Sequence, residues 1–327
     1  MYYYYGLAAR LRQKFGERVQ KVPLDAGFSC PNRDGKISAN GCIFCNPEGS
    51  GSGMLSEGIP LSEQWNLWIE KISKRYSARL FLAYLQSYSN TYGPLEKLKS
   101  VLDEISQLEG IAGLCLGTRP DCIDSDKLKA IKDTGLSEIW LDLGLQSSND
   151  ETLKKINRGH DSAAFAKSVE LAHSHGLEVC AHVIAGLPGE DEEDFIKSVR
   201  FINTLPVSGI KFHNLYVCKN TTLEKMYRAG SYEPWTRERY VQAFVRAITF
   251  LRQDIVVHRI SADPVPGELV SPDWSEDKRI THLAINENME KNDLWQGCAL
   301  KGSRSQPPDW FWPESFPPKM IINKTGF

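Results

Sequence analysis

From residue 80 onward, short apolar runs alternate with stretches in which apolar residues recur every three or four positions. Residues 80–86 (Leu-Phe-Leu-Ala-Tyr-Leu-Gln) predict a buried strand, and 94–108, opening at Pro94, predict an amphipathic helix. The same pattern gives strands at 111–118, 138–146, 177–184, 209–217 and 255–261. Between them fall helices at 124–134, 149–156, 161–175, 190–204, 221–229 and 236–253. Ahead of this series, a short helix at 7–18 leads into an extended segment ending at Cys30. Such βαβα alternation predicts a mainly parallel sheet, curved or closed, with helices outside.

Two of these strands have unequal faces. In 138–146, Ile139, Leu141, Leu143 and Leu145 fall on one side and Trp140, Asp142, Gly144 and Gln146 on the other. A parallel strand buried on both sides is apolar on both. The mixed face therefore predicts a polar cavity, with Gly144 admitting a close approach to the backbone; an edge strand with one wet face is the alternative. In 177–190, Cys180, His182 and Ile184 share a face before the chain breaks into Gly186-Leu-Pro-Gly189-Glu190. That strand-to-helix junction is where parallel α/β folds bind ligands. His182 is a candidate there, with a satisfied core histidine as the competing reading. Lys211 and His213 share a strand face and either line the substrate end or serve structure.

Length and composition narrow the class. At 327 residues, 41% hydrophobic and 24% charged, the chain predicts one large α/β domain with appended segments. The net charge of -2 argues against a uniformly basic surface and says little about partners. Local basic runs at Arg10, Arg12, Lys14, Arg18 and Lys21, and at Lys71, Lys74, Arg75 and Arg79, are either solvated helix faces or nucleic-acid contacts. The start of the chain carries no signal-like apolar core and no run of 18 apolar residues occurs, which predicts a cytoplasmic protein without a membrane partner. Eight cysteines without a secretory signal read as reduced thiols or metal ligands.

Three of those thiols stand together. Cys42 and Cys45 are separated by a CxxC gap, and Cys30 lies upstream across Asn32-Arg33-Asp34 and glycines that read as a flexible loop. Three thiolates leave a metal centre one ligand short. A structural zinc site closes with a fourth Cys or His, and the next His is His160. An iron–sulfur cluster held by three leaves one iron open. Spacing alone leaves both readings open.

Cys30, Cys42 and Cys45 are followed by Thr118-Arg119-Pro120-Asp121, Leu143-Gly-Leu-Gln146-Ser, Asn157-Arg158-Gly159-His160 and His182-Val-Ile184-Ala-Gly186-Leu-Pro-Gly-Glu190. This set, with Arg259-Ile-Ser-Ala-Asp263-Pro and Trp295-Gln-Gly297, resembles the radical S-adenosylmethionine (SAM) superfamily, and within it the YhcC/YtqA group. The resemblance implies a partial (β/α)6 radical SAM barrel with short N- and C-terminal extensions. Its boundaries are 1–22 for the N-terminal extension, 23–255 for the barrel with a cluster loop at 30–45, 256–300 for a closing strand and helix, and 301–327 for an extended tail.

By that resemblance Cys30, Cys42 and Cys45 hold a [4Fe-4S] cluster and S-adenosyl-L-methionine occupies the open iron. An electron from a donor such as flavodoxin or ferredoxin then cleaves SAM to a 5'-deoxyadenosyl radical that abstracts hydrogen from substrate. Phe44 matches the aromatic near adenine, Gln146 a ribose-side position and Arg158 a partner for the SAM carboxylate. His182, Ile184 and Gly186 match the loop beside the adenine. Gln86-Ser-Tyr-Ser-Asn90 stands where many members carry Gly-Gly-Glu, which makes Gln86 the candidate for the SAM amino group.

The Thr118–Asp121 segment also resembles the catalytic subunit of Elongator, which modifies tRNA wobble uridine, with Gly117 where that protein has Glu. Some YhcC/YtqA members resemble enzymes that turn carboxymethylaminomethyl into aminomethyl uridine at the wobble position. That implies tRNA as substrate, with its base turned out of the stack and the basic runs and Tyr2–Tyr5 contacting phosphates and bases. One alternative is a radical SAM enzyme acting on a small metabolite or tetrapyrrole. The other is a metal-stabilised binding module without catalysis. The remaining cysteines, Cys115, Cys122, Cys180, Cys218 and Cys298, share no short spacing and read as buried hydrophobes.

Overall fold

The computed structural model describes residues 2–46, 49, 54, 58–300 and 307–312. Leu7–Phe15 forms α1 and Val19–Leu24 β1, followed by α2 (Leu61–Tyr76), β2 (Leu80–Leu85), α3 (Leu95–Ser106) and β3 (Ile111–Thr118). Next come α4 (Ser125–Asp133), β4 (Glu138–Gln146), α5 (Asp150–Lys155), α6 (Ser162–Ser174), β5 (Glu178–Ala185) and α7 (Glu192–Asn203). The remainder is β6 (Gly209–Asn214), β7 (Val217–Cys218), α8 (Thr222–Arg228), α9 (Arg237–Thr249), β8 (Val256–Arg259), β9 (Leu269–Ser271) and α10 (Lys278–Lys291).

Helix starts are set by short polar side chains. Asp124, Asn149, Asp161, Thr221, Thr236 and Asp277 each accept a backbone N–H of the first turn. Asp191 and Asp194 form a reciprocal capping pair on α7. Two elements depart from the prediction. The helix α2 was not predicted, although Leu61, Trp65, Trp68, Ile69 and Ile72 recur at helical spacing and pack on the core. The predicted strand 209–217 ends at Asn214, and β7 turns away to pair antiparallel with the three-residue β9.

Seven strands pair in the order β1-β2-β3-β4-β5-β6-β8, every neighbour parallel. Spatial order follows chain order, so the crossovers run the same way and the sheet curls. Its two ends approach each other, with Lys21 Nζ on β1 lying 3.4 Å from His258 Nδ1 on β8. This is the expected partial barrel, with a seventh strand beyond the six expected. Because β4 lies at the centre of the order, the edge-strand alternative for its mixed face is excluded.

The strand faces differ because they meet different neighbours. Leu141, Leu143, Val179, Ala181, Ile210 and Phe212 turn outward and join the helices in the main core. Inward, Leu82, Cys115, Trp140, Cys180 and Val256 pack with Leu7 and Leu11 of α1 at the N-terminal end of the barrel. There Arg10 bonds Glu138 at 3.0 Å and Glu178 at 2.6 Å, and Lys14 bonds Glu138 at 2.6 Å. The helix α1 is therefore a stopper, and it corrects the reading of the first basic run. Arg10 and Lys14 are consumed by carboxylates, and Lys21 points into the barrel.

The N-terminal tyrosines are likewise occupied, because they hold the segment 307–312. Tyr3 meets Phe311 edge-on at 6.2 Å, Tyr5 stacks on Trp310 at 6.0 Å, and Tyr2 N–H donates to Phe311 O at 3.0 Å. Tyr3 and Tyr5 thus anchor the chain's own aromatics. Pro313, Pro317 and Pro318 of the predicted extended tail lie outside the described residues. No helix among the described residues is long and apolar enough to cross a membrane.

Candidate functional site

At the C-terminal ends of the strands, the loop after β1 carries the three cysteines. It is braced rather than flexible. Asn32 is fully buried; its Nδ2 donates to Asn157 O at 2.6 Å. Asn157 returns the contact, donating its own Nδ2 to Gly41 O at 2.6 Å and Ser38 Oγ at 3.0 Å. Gly41 N–H donates to Asn32 O at 2.7 Å, and Arg33 Nη2 reaches Cys45 O at 2.9 Å. Asn157 adopts φ 54°, a left-handed conformation that Asn tolerates better than most residues. Sequence reasoning missed these roles for Asn32, Arg33 and Asn157, since Asn-Arg-Asp with glycines also signals a loose loop.

The donor set fits an iron–sulfur centre. Cys42 Sγ is approached by Asn32 Nδ2 and by Arg158 Nη1, each at 3.6 Å, and N–H groups aimed at sulfur stabilise cluster thiolates. Burial first, then the neighbouring Cys42, pushes Cys45 up to about 11, with Arg33 opposing. A metal centre is what would displace that proton.

Every residue assigned from sequence except Gly186 lines one cavity of about 240 Å³: Cys30, Cys42, Phe44 and Cys45 from the loop, Gln86 after β2, Gln146 on β4, Arg158 after α5, and His182 and Ile184 on β5. Arg158 is buried, and its Nη2 donates to Gly144 O at 2.9 Å. A Cβ on Gly144 would lie 2.7 Å from Gln146 Nε2 and collide with the Arg158 guanidinium, which explains glycine there. Gly186 stands outside the lining. Its carbonyl accepts the Tyr232 hydroxyl at 3.0 Å, and its φ of 85° turns the chain beneath Trp235. Glu190 folds back from the same turn to accept the Ser147 hydroxyl.

Deeper in the barrel the lining becomes a layer of ionisable groups. Lys211 Nζ forms an ion pair with Asp142 and donates to Tyr84 Oη at 2.9 Å. Burial alone would raise the Asp142 carboxyl, but Lys211 and His182 hold it well below the usual range. His182 Nε2 lies 3.7 Å from Asp142 Oδ2, and burial, then the Lys211 charge, lowers this imidazole to about 4. His213, its ring 5.4 Å from that of His182, is pushed well below the usual value by burial and then by Arg259. Asp142, Cys180 and His258 could together ligate a metal by distance, yet Lys211 occupies the carboxylate and Lys21 the imidazole. The sequence pattern gave Asp142, Lys211 and His213 as inward-facing; Tyr84 and Arg259 were missed as cavity groups.

Comparison with known proteins agrees with this geometry. The model of the radical SAM superfamily matches residues 35–202, and the radical SAM C-terminal domain matches 207–291. YhcC of Escherichia coli (strain K12) is 35% identical over 293 residues, covering 89% of this chain and 93% of that protein. A tRNA uridine(34) acetyltransferase of Dehalococcoides mccartyi is 31% identical over 146 residues, 44% of this chain and 31% of that protein. Among solved structures, the archaeal Methanocaldococcus infernus Elp3 with an N-terminal deletion superposes with a TM-score of 0.67 at 20% identity. The match covers 85% of this chain and 64% of that one, and it shows the shared fold. The chain belongs to the radical SAM superfamily, in the group that includes YhcC, and is an enzyme of a [4Fe-4S] cluster and S-adenosylmethionine.

Proposed function

We propose that Cys30, Cys42 and Cys45 hold the cluster, that SAM binds beside it in the cavity, and that the substrate is the C5 side chain of tRNA wobble uridine. The observation that carries the first part is the convergence of the three thiols and Arg158 on one cavity at the C-terminal ends of the strands. When bound, the cluster and SAM together supply a carbon-centred radical able to remove an unactivated hydrogen. The protein's own part is to bind, orient and exclude water. Arg158 offers a planar cation for the SAM carboxylate, and Gln86 an amide for its amino group. Phe44 and Ile184 supply apolar contact for adenine, Gln146 a ribose partner, and His182 a neutral ring between cofactor and floor. Gly186 sets the turn that carries Ile184.

Support for tRNA comes from the partial match to a tRNA uridine(34) acetyltransferase and from the chemistry of the conversion. The hydrogen to be taken from a carboxymethylaminomethyl group lies on carbon next to nitrogen, where ordinary acid–base groups fail. A flipped-out base would reach the cavity through the mouth of the barrel. Family membership sets aside the non-catalytic binding module, while the small-metabolite enzyme stays as the competing substrate class.

The deciding experiment measures 5'-deoxyadenosine formed by anaerobically reconstituted, reduced protein with SAM. It is run with and without tRNA carrying the carboxymethylaminomethyl side chain. Stimulation by tRNA with a matching change in nucleoside mass supports the reading. Slow cleavage that tRNA does not alter passes the substrate to the metabolite class.

A further inference from the structure

The cations of the cavity are not all used. Arg119 is spent on Asp121 through two bonds of 2.8 Å. Arg158, bonded to Gly144 O and Cys42, is assigned to the cofactor, while Arg33 is bonded to Cys45 O and Lys211 is spent on Asp142 and Tyr84. Arg259, at the end of β8, is opposite Lys211 in the sheet register and lines the same cavity. Its guanidinium has neither a hydrogen bond nor an ion pair among the described residues. Among the described residues the lining carries only two carboxylates, Asp142 and Asp263, and Asp263 is paired with Lys278 at 3.0 Å. Beside Arg259 the two imidazoles are neutral, and His213 Nε2 is buried without a partner.

A half-buried guanidinium left unpaired among spent charges is a receptor for an anion. Its planar fork suits a carboxylate through two parallel bonds. We infer that Arg259 seats a carboxylate of the substrate, so that the enzyme selects molecules bearing an acid group close to the carbon that reacts. The inference deepens the proposed function and rests on the cavity being the substrate site. Arg259 acts on specificity, while Arg158 serves the cofactor.

The test uses reconstituted holoprotein with SAM and measures affinity for two tRNA preparations, one with carboxymethylaminomethyl and one with aminomethyl wobble uridine. Their phosphates are the same and only the first carries the acid. The parent should prefer the first by about tenfold or more, as one charge-assisted pair provides. Arg259→Gln should erase that preference while keeping the affinity for aminomethyl tRNA, and Arg259→Lys should retain part of it. Equal weakening of both tRNAs would make Arg259 a phosphate contact, and weakened SAM binding would make it a cofactor contact. Either result, or no change, overturns the inference.

If neither tRNA binds, the tRNA reading falls separately and small probes decide. Saturable binding of N-methylglycine that Arg259→Gln abolishes, with none for methylamine, upholds the carboxylate seat. No binding of N-methylglycine overturns it. Cluster absorbance and the thermal midpoint of each variant establish that it is folded and loaded.

Discussion

Arg158 joins a cysteine to a strand end, with Nη1 3.6 Å from Cys42 Sγ and Nη2 2.9 Å from Gly144 O. The cation is thus held in place before any cofactor arrives. Replacing Arg158 by Gln should weaken SAM binding about tenfold or more, as loss of a charge-assisted pair does. Gly144→Ala should reproduce part of that loss without removing a charge, because its methyl group would displace the guanidinium. Anaerobic equilibrium dialysis with SAM measures both. Unchanged affinity in both variants would move the SAM carboxylate elsewhere.

The cysteines divide into two sets by environment. Replacing Cys30, Cys42 or Cys45 by Ala should remove most iron from reconstituted protein. Replacing Cys115, Cys122, Cys180, Cys218 and Cys298 together should leave it near about four per chain. All five are buried, as the sequence reading has it. Colorimetric iron analysis decides, and a fall to half of a larger starting content would reveal a second cluster.

Asn157→Gly keeps the left-handed backbone and deletes only the two side-chain bonds to Gly41 and Ser38. Each such bond contributes about 1 kcal/mol. The variant should take up iron normally but lose its cluster several-fold faster to a chelator. Loss followed by absorbance at equal rates for variant and parent would show that the loop is held by other contacts.

Stability should depend on pH through the buried imidazoles. Burial and then Lys211 lower His182 to about 4, so between about 6.5 and 4 the unfolded chain binds the proton and the folded chain does not. Stability is complete above about 6.5, falls as pH drops through this window, and levels off below it, a loss of about 3 kcal/mol for this group. His213 and His258, lowered by burial in the same direction, steepen the fall. Urea unfolding of cluster-free protein across this range should show it, and His182→Gln should flatten it. A flat parent profile would mean that these rings are hydrated.

Periodicity carried most of the barrel because β2 to β6 pack one apolar face on helices, which writes an alternating or continuous pattern into each strand. It failed at β9, three residues long, whereas at α2 the period of Leu61, Trp65, Trp68, Ile69 and Ile72 was present and overlooked. The site was legible where chemistry needs a fixed residue type, as at the cysteines and Arg158. It was not legible where a common residue acquires its role only through partners distant in sequence. Asn32 meets Asn157 across 125 positions, and Lys211 meets Tyr84 across 127. Charge runs misled for a related reason, since Arg10 and Lys14 find their carboxylates only after the sheet curls.

With α1 packed under the barrel, the mouth is the open end among the described residues. Cofactor and substrate that share this route enter and leave in order, the deeper guest first in and last out.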